Sequence, residues 1–467
     1  MLFPLREDDI SGLIPPRIKI RGILKTVMKN IRYIFRFLRA FISRFKSLIL
    51  LGIGAGILLF ILLRLLGPTL FTKKTVNIGI VGKYRTDNLP VSILSLIGDG
   101  LTKVDETGVV EPNLAVSWET PDSGQTWIFH LKDNISWQDG KKVTANNIVY
   151  SFSDAKEETP DAKTIIFKLQ SSFAPFPSIV SQPVFRKGLL GTGRWKVTKA
   201  SLTGNFVQKL IITSSIHEEK VFKFYPTEER AKLAFKLGSV DSIEGVFSKQ
   251  PFDIWKNTTI RADINKYRYV ALFFNNQDSL LGSKEIRQAL SYAIDKNKLP
   301  GPRAYGPISP DSWAYNPQVK PYNYDETKAK EIVSGLSKEV KSSLNINLAT
   351  STVLLPVAEQ IARDWEKAGV KTNILVENDI PQDFQAFLAA IDTPKDPDQY
   401  SIWHSTQTAT NIARYKDPRI DKLLEDGRLE MDTEKRKKIY LDFQRFLVED
   451  APAIFLYHPI TYTISRK

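Results

Sequence analysis

The sequence predicts an α/β protein of two lobes held at a membrane by one helix, and three observations lead there. Strand-like and helix-like runs alternate after residue 75, with one complete βαβ crossover in residues 344–376. At 467 residues the chain exceeds what one ordinary core fills, so at least two lobes are expected once a membrane segment is set aside. Residues 47–63, SLILLGIGAGILLFILL, carry no charge. With Arg64, Leu65 and Leu66 they reach the roughly 20 residues that cross about 30 Å of hydrocarbon.

Taken in order, residues 1–46 come first. They hold eleven Lys and Arg against Glu7, Asp8 and Asp9, so more than half of the net charge of +14 lies beside the expected span of 47–66. That bias puts the N-terminus in the cytoplasm and everything after Leu66 outside, a single-pass topology at the cell membrane. A cleaved signal peptide is the competing reading, but its apolar region would run about 7–15 residues, and Gly67-Pro68-Thr69 offers no Ala-x-Ala-like site. Arg64 can snorkel to the outer headgroups. Lys25, Lys29, Arg32, Arg36 and Arg39 recur at steps of four and three, one stripe of a helix that would lie against anionic lipid of the inner leaflet. The alternative is an orientation signal with no ordered helix.

The rest of the positive surplus is spread over roughly 400 residues as ordinary surface charge, which argues against a nucleic-acid partner. A hydrophobic content of 42% and an aromatic content of 11% are those of a folded globular protein. With no cysteine, disulfides, thiolate chemistry, cysteine metal sites and a lipid on cysteine are all excluded.

A linker ends at Lys73 and Lys74, and residues 76–81, VNIGIV, start the first strand. Thr126, Ile128, His130 and Leu131 lie in a β-rich run after the Asp122-Ser123-Gly124 turn, and a second turn at Gln138-Asp139-Gly140 leads to a helix capped by Thr144. Trp137 reads as structural. Residues 269–276, YVALFFNN, form a buried-strand candidate. Ile286, Ala289, Leu290, Ala293 and Ile294 then follow helical spacing within residues 283–295. In the crossover a helix over 355–368 turns Ala358, Ile361 and Trp365 to one face and stops at Gly369.

Residues 111–152, EPNLAVSWETPDSGQTWIFHLKDNISWQDGKKVTANNIVYSF, resemble the family 5 extracellular solute-binding proteins. These are the receptor subunits of oligopeptide and dipeptide ABC importers, whose text runs P-x-LA-x-SW-E, then F-x-L-x-x-x-I-x-W-x-DG, then TA-x-x-(V/I)-x-(Y/F)-(S/T). The likeness continues at GTGRWKV, residues 191–197, and IRQALSYAIDKNKL, residues 286–299, and covers most of the chain after about residue 75. It implies a two-lobed, periplasmic-binding-protein-like (type II) fold. The strand at 269–276 would be one of two crossings between lobes, with AIFLYHPI, residues 453–460, near the other. Lobe I would then be 75–269 plus about 450–467, and lobe II 270–449.

The same resemblance implies a monomer without catalysis or cofactor. It would capture a peptide or other small solute in a hinged cleft and meet an ABC permease and its ATPase. The alternative is a tethered sensor or surface interaction protein that keeps the fold without transport.

Residues 391–424 carry D-P-D-Q-Y, N-x-x-x-Y and D-x-L-L elements that also resemble the family. In its peptide-binding members an acid just upstream of D-P pairs with the peptide's amino terminus. Asp392 is the nearest match, but it precedes Asp396 by four positions rather than three, and Ala389-Ala390-Ile391 replaces the usual Gly-Trp text. The plainer reading makes Asp392 and Asp396 turn formers beside Pro394 and Pro397. Tyr400, Trp403, His404 and Tyr269 complete the expected ligand-binding set, with Trp403 and His404 better placed to line a cleft than to fill a helix core. After Phe152 the chain passes directly into the IIFKL strand where the family has a longer helical insertion, so a small subdomain is expected to be reduced.

Enzyme and metal readings have little support. His130, His217, His404 and His458 are far apart with no zinc-ligand spacing. There is no G-x-S-x-G, P-loop or dinucleotide motif, and Gly191-Thr192-Gly193 lacks the third glycine.

Overall fold

The computed structural model describes residues 20–71, 74–216, 218–377 and 381–467. The chain divides after residue 73 into two compact units. The first holds the helix Ile20–Phe71, whose backbone leaves helical geometry at Phe45 (φ −112°, ψ 16°). The break falls beside the expected boundary between basic segment and span. Within this helix Arg39–Leu62 is long and apolar enough to cross a membrane. Residues 1–19 of the expected basic segment lie outside the described residues, as does His217.

In chain order the second unit has β1 (Lys74–Val81), β2 (Thr102–Val104), β3 (Val110–Pro112), β4 (Ala115–Glu119), β5 (Thr126–Leu131), β6 (Ala155–Glu158) and β7 (Thr164–Leu169). There follow β8 (Trp195–Thr203), β9 (Phe206–Ser214), β10 (Glu218–Tyr225), β11 (Ser242–Val246), β12 (Thr258–Ile264), β13 (Arg268–Phe274) and β14 (Asn345–Thr350). The last four are β15 (Lys371–Val376), β16 (Ala386–Asp392), β17 (Ala453–Tyr457) and β18 (Ile460–Arg466).

The first lobe is built on a seven-stranded sheet in the order β12-β18-β11-β1-β10-β9-β8. Strands β10, β1 and β11 run parallel, and the helix Glu228–Lys236 carries the chain from the end of β10 back to the start of β11. The second lobe's sheet has the order β15-β14-β16-β13-β17. Its parallel β14 and β15 are joined by the helix Leu355–Lys367, which is the crossover legible in the sequence. Gly369 stops it with φ +85°, a left-handed conformation that needs no Cβ. Trp365 is fully buried against Phe274 at a ring separation of 6.4 Å. The expected helix over 283–295 is present as Lys284–Ala293, and the Ser283 hydroxyl accepts from the Ile286 N–H at 3.3 Å.

The chain leaves the first sheet at Ile264, enters the second at Arg268, and returns between Tyr457 and Ile460. The return therefore comes later than about residue 450. Every residue of β17 is buried, and Val270 pairs with Tyr457 and Phe273 with Ala453, so this strand is bound into the second core before the chain crosses back. Tyr269 likewise belongs to the second sheet.

A small four-stranded sheet, β4-β5-β7-β6, packs Trp127, Phe129, Phe167 and Phe176 into a separate aromatic core. Thr144 is a cap, but only of a single 3-10 turn, Ala145–Asn147. The chain then runs extended, and Tyr150 and Phe152, two positions apart, both meet Phe167 edge-on, each with ring centroids 5.9 Å away.

The resemblance motifs join this sheet to the first lobe. Trp137 Nε1 donates to Asn147 Oδ1 at 3.0 Å. The neighbouring Gln138 Nε2 lies within 2.9 Å of the carbonyls of Ile97, Gly193 and Trp195. A Cβ on Gly191 would stand 2.1 Å from the Ile97 carbonyl, so the GTG turn is fixed by close backbone approach.

Candidate functional site: an interlobe cleft

In open α/β sheets ligands bind beyond the carboxyl ends of the strands, where the helices that follow diverge. Here the chain beyond β11 (Phe247), beyond β14 (Ser351, Val353, Leu354) and at the start of β18 (Ile460, Tyr462) faces a hollow of about 500 Å3 between the lobes. Pro356, Val357, Phe387 and Tyr457 add to a wall that is mostly apolar, and among the described residues Arg268 is its one ionisable side chain apart from tyrosines.

Arg268 is already engaged. Strands β13 and β16 place it directly opposite Asp392, and its Nε and Nη2 donate to the two Asp392 oxygens at 2.6 and 2.5 Å. This two-pronged bond is the main reason the guanidinium is held above its usual pKa, with burial opposing it. The Asp392 side chain is 62% exposed. The residue expected to wait for a ligand's amine is thus bound to a cation of its own strand pair.

A second hollow of about 400 Å3 lies between the small sheet and the second lobe, lined by Trp118, Glu119, Trp127, Trp313, Glu430 and the Asp396–Arg436 pair, among others. Asp396 and Arg436 are both buried, with two bonds of 2.8 and 2.7 Å. Burial works against the Arg436 charge, but the Asp396 carboxylate more than offsets it and holds the guanidinium well above its ordinary value. Asp398, two positions on, accepts from Arg428 Nε at 3.0 Å and from the Tyr400 N–H at 3.1 Å. The D-P-D-Q-Y element is therefore a clamp that ties its own turn to the helices Pro418–Leu429 and Thr433–Asp450.

The other expected residues divide between network and core. Tyr400 stacks on His404 at 4.0 Å, with Arg428 3.8 Å above the tyrosine ring. His404 is buried, its Nδ1 2.8 Å from Thr406 Oγ1 and its Nε2 3.3 Å from Glu425 Oε1. Trp403, expected on a cleft wall, is 1% exposed and packs on Phe273 and Phe455 inside the second lobe. Tyr269 is as deeply buried, 5.1 Å from Phe455, and burial pushes its hydroxyl pKa up. Among the described residues neither the Tyr269 hydroxyl nor Trp403 Nε1 has a hydrogen-bond partner. The six residues do not converge on one cavity, and none lines the 500 Å3 hollow.

Sequence reasoning missed Phe247, Val353, Leu354 and Tyr462 as cleft residues. For the first three the available signal was positional, an apolar residue just past the carboxyl end of a parallel strand, where turn residues are the norm; Tyr462, near the start of the antiparallel β18, carried no such signal.

The hairpin turn between β2 and β3 touches the second lobe. Trp313 N–H donates to the Thr107 carbonyl at 2.9 Å, and Lys395 Nζ to the Asp105 carbonyl at 3.0 Å. Gly108 (φ +89°) has no room for a Cβ, which would stand 2.4 Å from the Lys395 carbonyl. Beside it the Tyr267 hydroxyl, in the first crossing, donates to the Glu106 carbonyl at 2.7 Å. Among the described residues no group of three His, Asp or Glu is arranged to hold a metal.

Residues 109–210 and 218–412 match the bacterial extracellular solute-binding proteins, family 5. The chain belongs to that family. Among family 5 relatives, the oligopeptide-binding protein AppA of Bacillus subtilis is 26% identical over 454 residues, covering 80% of this chain and 83% of AppA. The nickel-binding periplasmic protein of Escherichia coli is 22% identical, with 83% and 87% covered. Of solved structures, NikZ of Campylobacter jejuni in complex with Ni(L-His) superposes with a TM-score of 0.71 at 23% identity, covering 85% of this chain and 95% of NikZ. AppA of B. subtilis in complex with a nonapeptide gives 0.67 at 20% identity, with the same coverage. These likenesses establish the two-lobed fold. Family 5 proteins are solute-binding proteins rather than enzymes.

Proposed function

We propose that this chain is a membrane-anchored extracytoplasmic receptor that captures a peptide-like solute between its lobes and delivers it to the permease of an ABC importer. The observation that carries this is the hollow of about 500 Å3 beyond the strand ends, spanned by two crossing segments about which the lobes can hinge. Family membership supports the importer role. The helix with Arg39–Leu62, preceded by a basic segment, supports an anchor whose N-terminus is cytoplasmic.

Relatives are named for oligopeptides, nickel or heme, so the name of a relative does not choose the ligand. The lining does. Its apolar wall and its neutralised arginine favour a short peptide with apolar side chains over a bare metal ion or a sugar. In this reading Asp392, at the rim, shares its carboxylate between Arg268 and the ligand's ammonium group, and Asp396, Tyr400, His404, Trp403 and Tyr269 hold the wall that presents it.

The test is thermal unfolding of the full chain in nanodiscs against a library of short peptides. Binding only the folded state raises the melting temperature. No shift with any peptide, together with a shift for a sugar or another solute, refutes the peptide assignment and leaves the receptor reading standing. Asp392→Asn should weaken free-amine peptides far more than acetylated ones; equal losses make Asp392 solely the partner of Arg268.

A further inference from the structure

The seven-stranded sheet has two unlike ends. One meets the cleft. At the other, where β1 begins, the sheet end carries several exposed apolar side chains. Ile216, in the turn between β9 and β10, is 61% exposed, and Leu237, just past the helix Glu228–Lys236, is 72% exposed. Ile254 and Trp255 immediately precede β12 and are 81% and 36% exposed.

Register places them all at this one end of the sheet. Lys74 pairs with Glu218 at the start of β10, Thr258 pairs with Arg466 at the end of β18, and Asp241 N–H donates to the Asn77 carbonyl. Phe252, next to Ile254, stacks edge-on to Phe235 at 5.0 Å, beside Leu237. Exposed Lys74, Arg194, Lys236, Lys256, Arg466 and Lys467 surround this patch. The acids at this end are Glu218, Glu219, Asp241 and Asp253, of which Glu218 pairs with Arg194 and Asp241 is occupied by Asn77.

Isoleucine, leucine and tryptophan rimmed by lysine and arginine are what an anionic lipid–water interface accepts: apolar tips among the headgroups, the tryptophan ring at their level, cations against phosphate. Chain connectivity keeps that interface near. Phe71, the last helical residue, is three Cα steps from Lys74, at most about 11 Å. The nine helical residues after Leu62 add about 14 Å. The chain between Leu62 and Lys74 is thus at most about 25 Å long.

We propose that this end of the first lobe rests on the outer leaflet of the membrane that holds the helix, through Ile216, Leu237, Ile254 and Trp255 and their basic rim. The proposal rests on the anchor reading above and goes beyond it by naming the face that meets lipid.

The chain has no cysteine, so single labels need no background removal. The full chain carrying Ile254→Cys, and separately Leu237→Cys, is labelled with an environment-sensitive fluorophore in nanodiscs of mixed anionic and neutral lipid. The control is Leu202→Cys, at the far end of β8 and 51% exposed. Spin-labelled phosphatidylcholine should quench the Ile254 and Leu237 labels at least twofold more than the Leu202 label, and Lys256→Glu should reduce that difference. Equal quenching at all three positions overturns the docking face while the chain still co-migrates with nanodiscs. A chain that never enters nanodiscs removes the anchor reading itself.

Discussion

His458 Nδ1 lies 2.9 Å from the backbone carbonyl oxygen of Arg268, so one side chain binds together the two segments that cross between the lobes. His458 also donates its own N–H to the Pro302 carbonyl at 2.7 Å. Burial lowers the imidazole pKa, helped by Lys266 and opposed by the bond to Arg268 and by Asp311. The folded state therefore holds its histidine neutral and takes up fewer protons than the unfolded chain just below the unfolded value of about 6.5. Stability from this group is complete above that value and lost as pH falls from there through the lower folded value. His458→Asn keeps a side-chain donor and does not titrate. Its melting temperature should fall less than the wild type's between pH 7 and 5, and parallel curves would remove His458 as a source of the acid sensitivity.

Asp396 and Arg436 form a buried pair whose partners satisfy only each other's charge. Removing one leaves the other buried and unpaired, at a cost of about 3–5 kcal/mol. Arg436→Met and Asp396→Asn should each show that loss in denaturant unfolding. The double variant Asp396→Leu with Arg436→Met should recover much of it. Additive losses would mean that the pair is not the coupled unit its geometry describes.

Gln138 offers one amide to three carbonyls and accepts from the Gly191 N–H at 3.3 Å, joining the small sheet to the first lobe. Gln138→Ala strands these groups and should cost about 1–3 kcal/mol. Proteolysis of the small sheet should precede that of the rest of the chain. Unchanged stability would mean that the Trp127–Phe176 core alone holds the junction.

Gly108→Ala forces a Cβ against the Lys395 carbonyl at a backbone angle that disfavours side chains. The expected result is a wider separation of the lobes in small-angle scattering and weaker ligand binding, with folding retained. An unchanged scattering profile with full affinity would show that the turn yields freely.

Much of the fold was readable because its signals are local. The crossover over 344–376 declared itself through helical spacing and Gly369, and the strand at 269–276 through the apolar run that opens it. The motif wording was readable too, although its purpose was not. Gln138 and Gly191 lie 53 positions apart and meet only when the small sheet docks on the first lobe.

Asp392 shows the same limit. Its chemistry is set by Arg268, 124 positions away, through β-sheet register, and no periodicity reports register between distant strands. Trp403 read as a cleft-lining aromatic because its helix, Tyr400–Trp403, is a single turn with no pattern to assign a buried face. Its place against Phe455 comes from the return strand β17, again a distant segment.

The contact between Trp313 and Thr107 supplies a built-in clock for lobe separation. The Trp313 amide proton is held by the other lobe, so deuterium can replace it while the halves are apart, whereas the Phe274 amide, held by Pro452 within one lobe, exchanges only when that lobe comes undone. Comparing the two uptake rates with and without solute would report how solute shifts the open population, with no label attached.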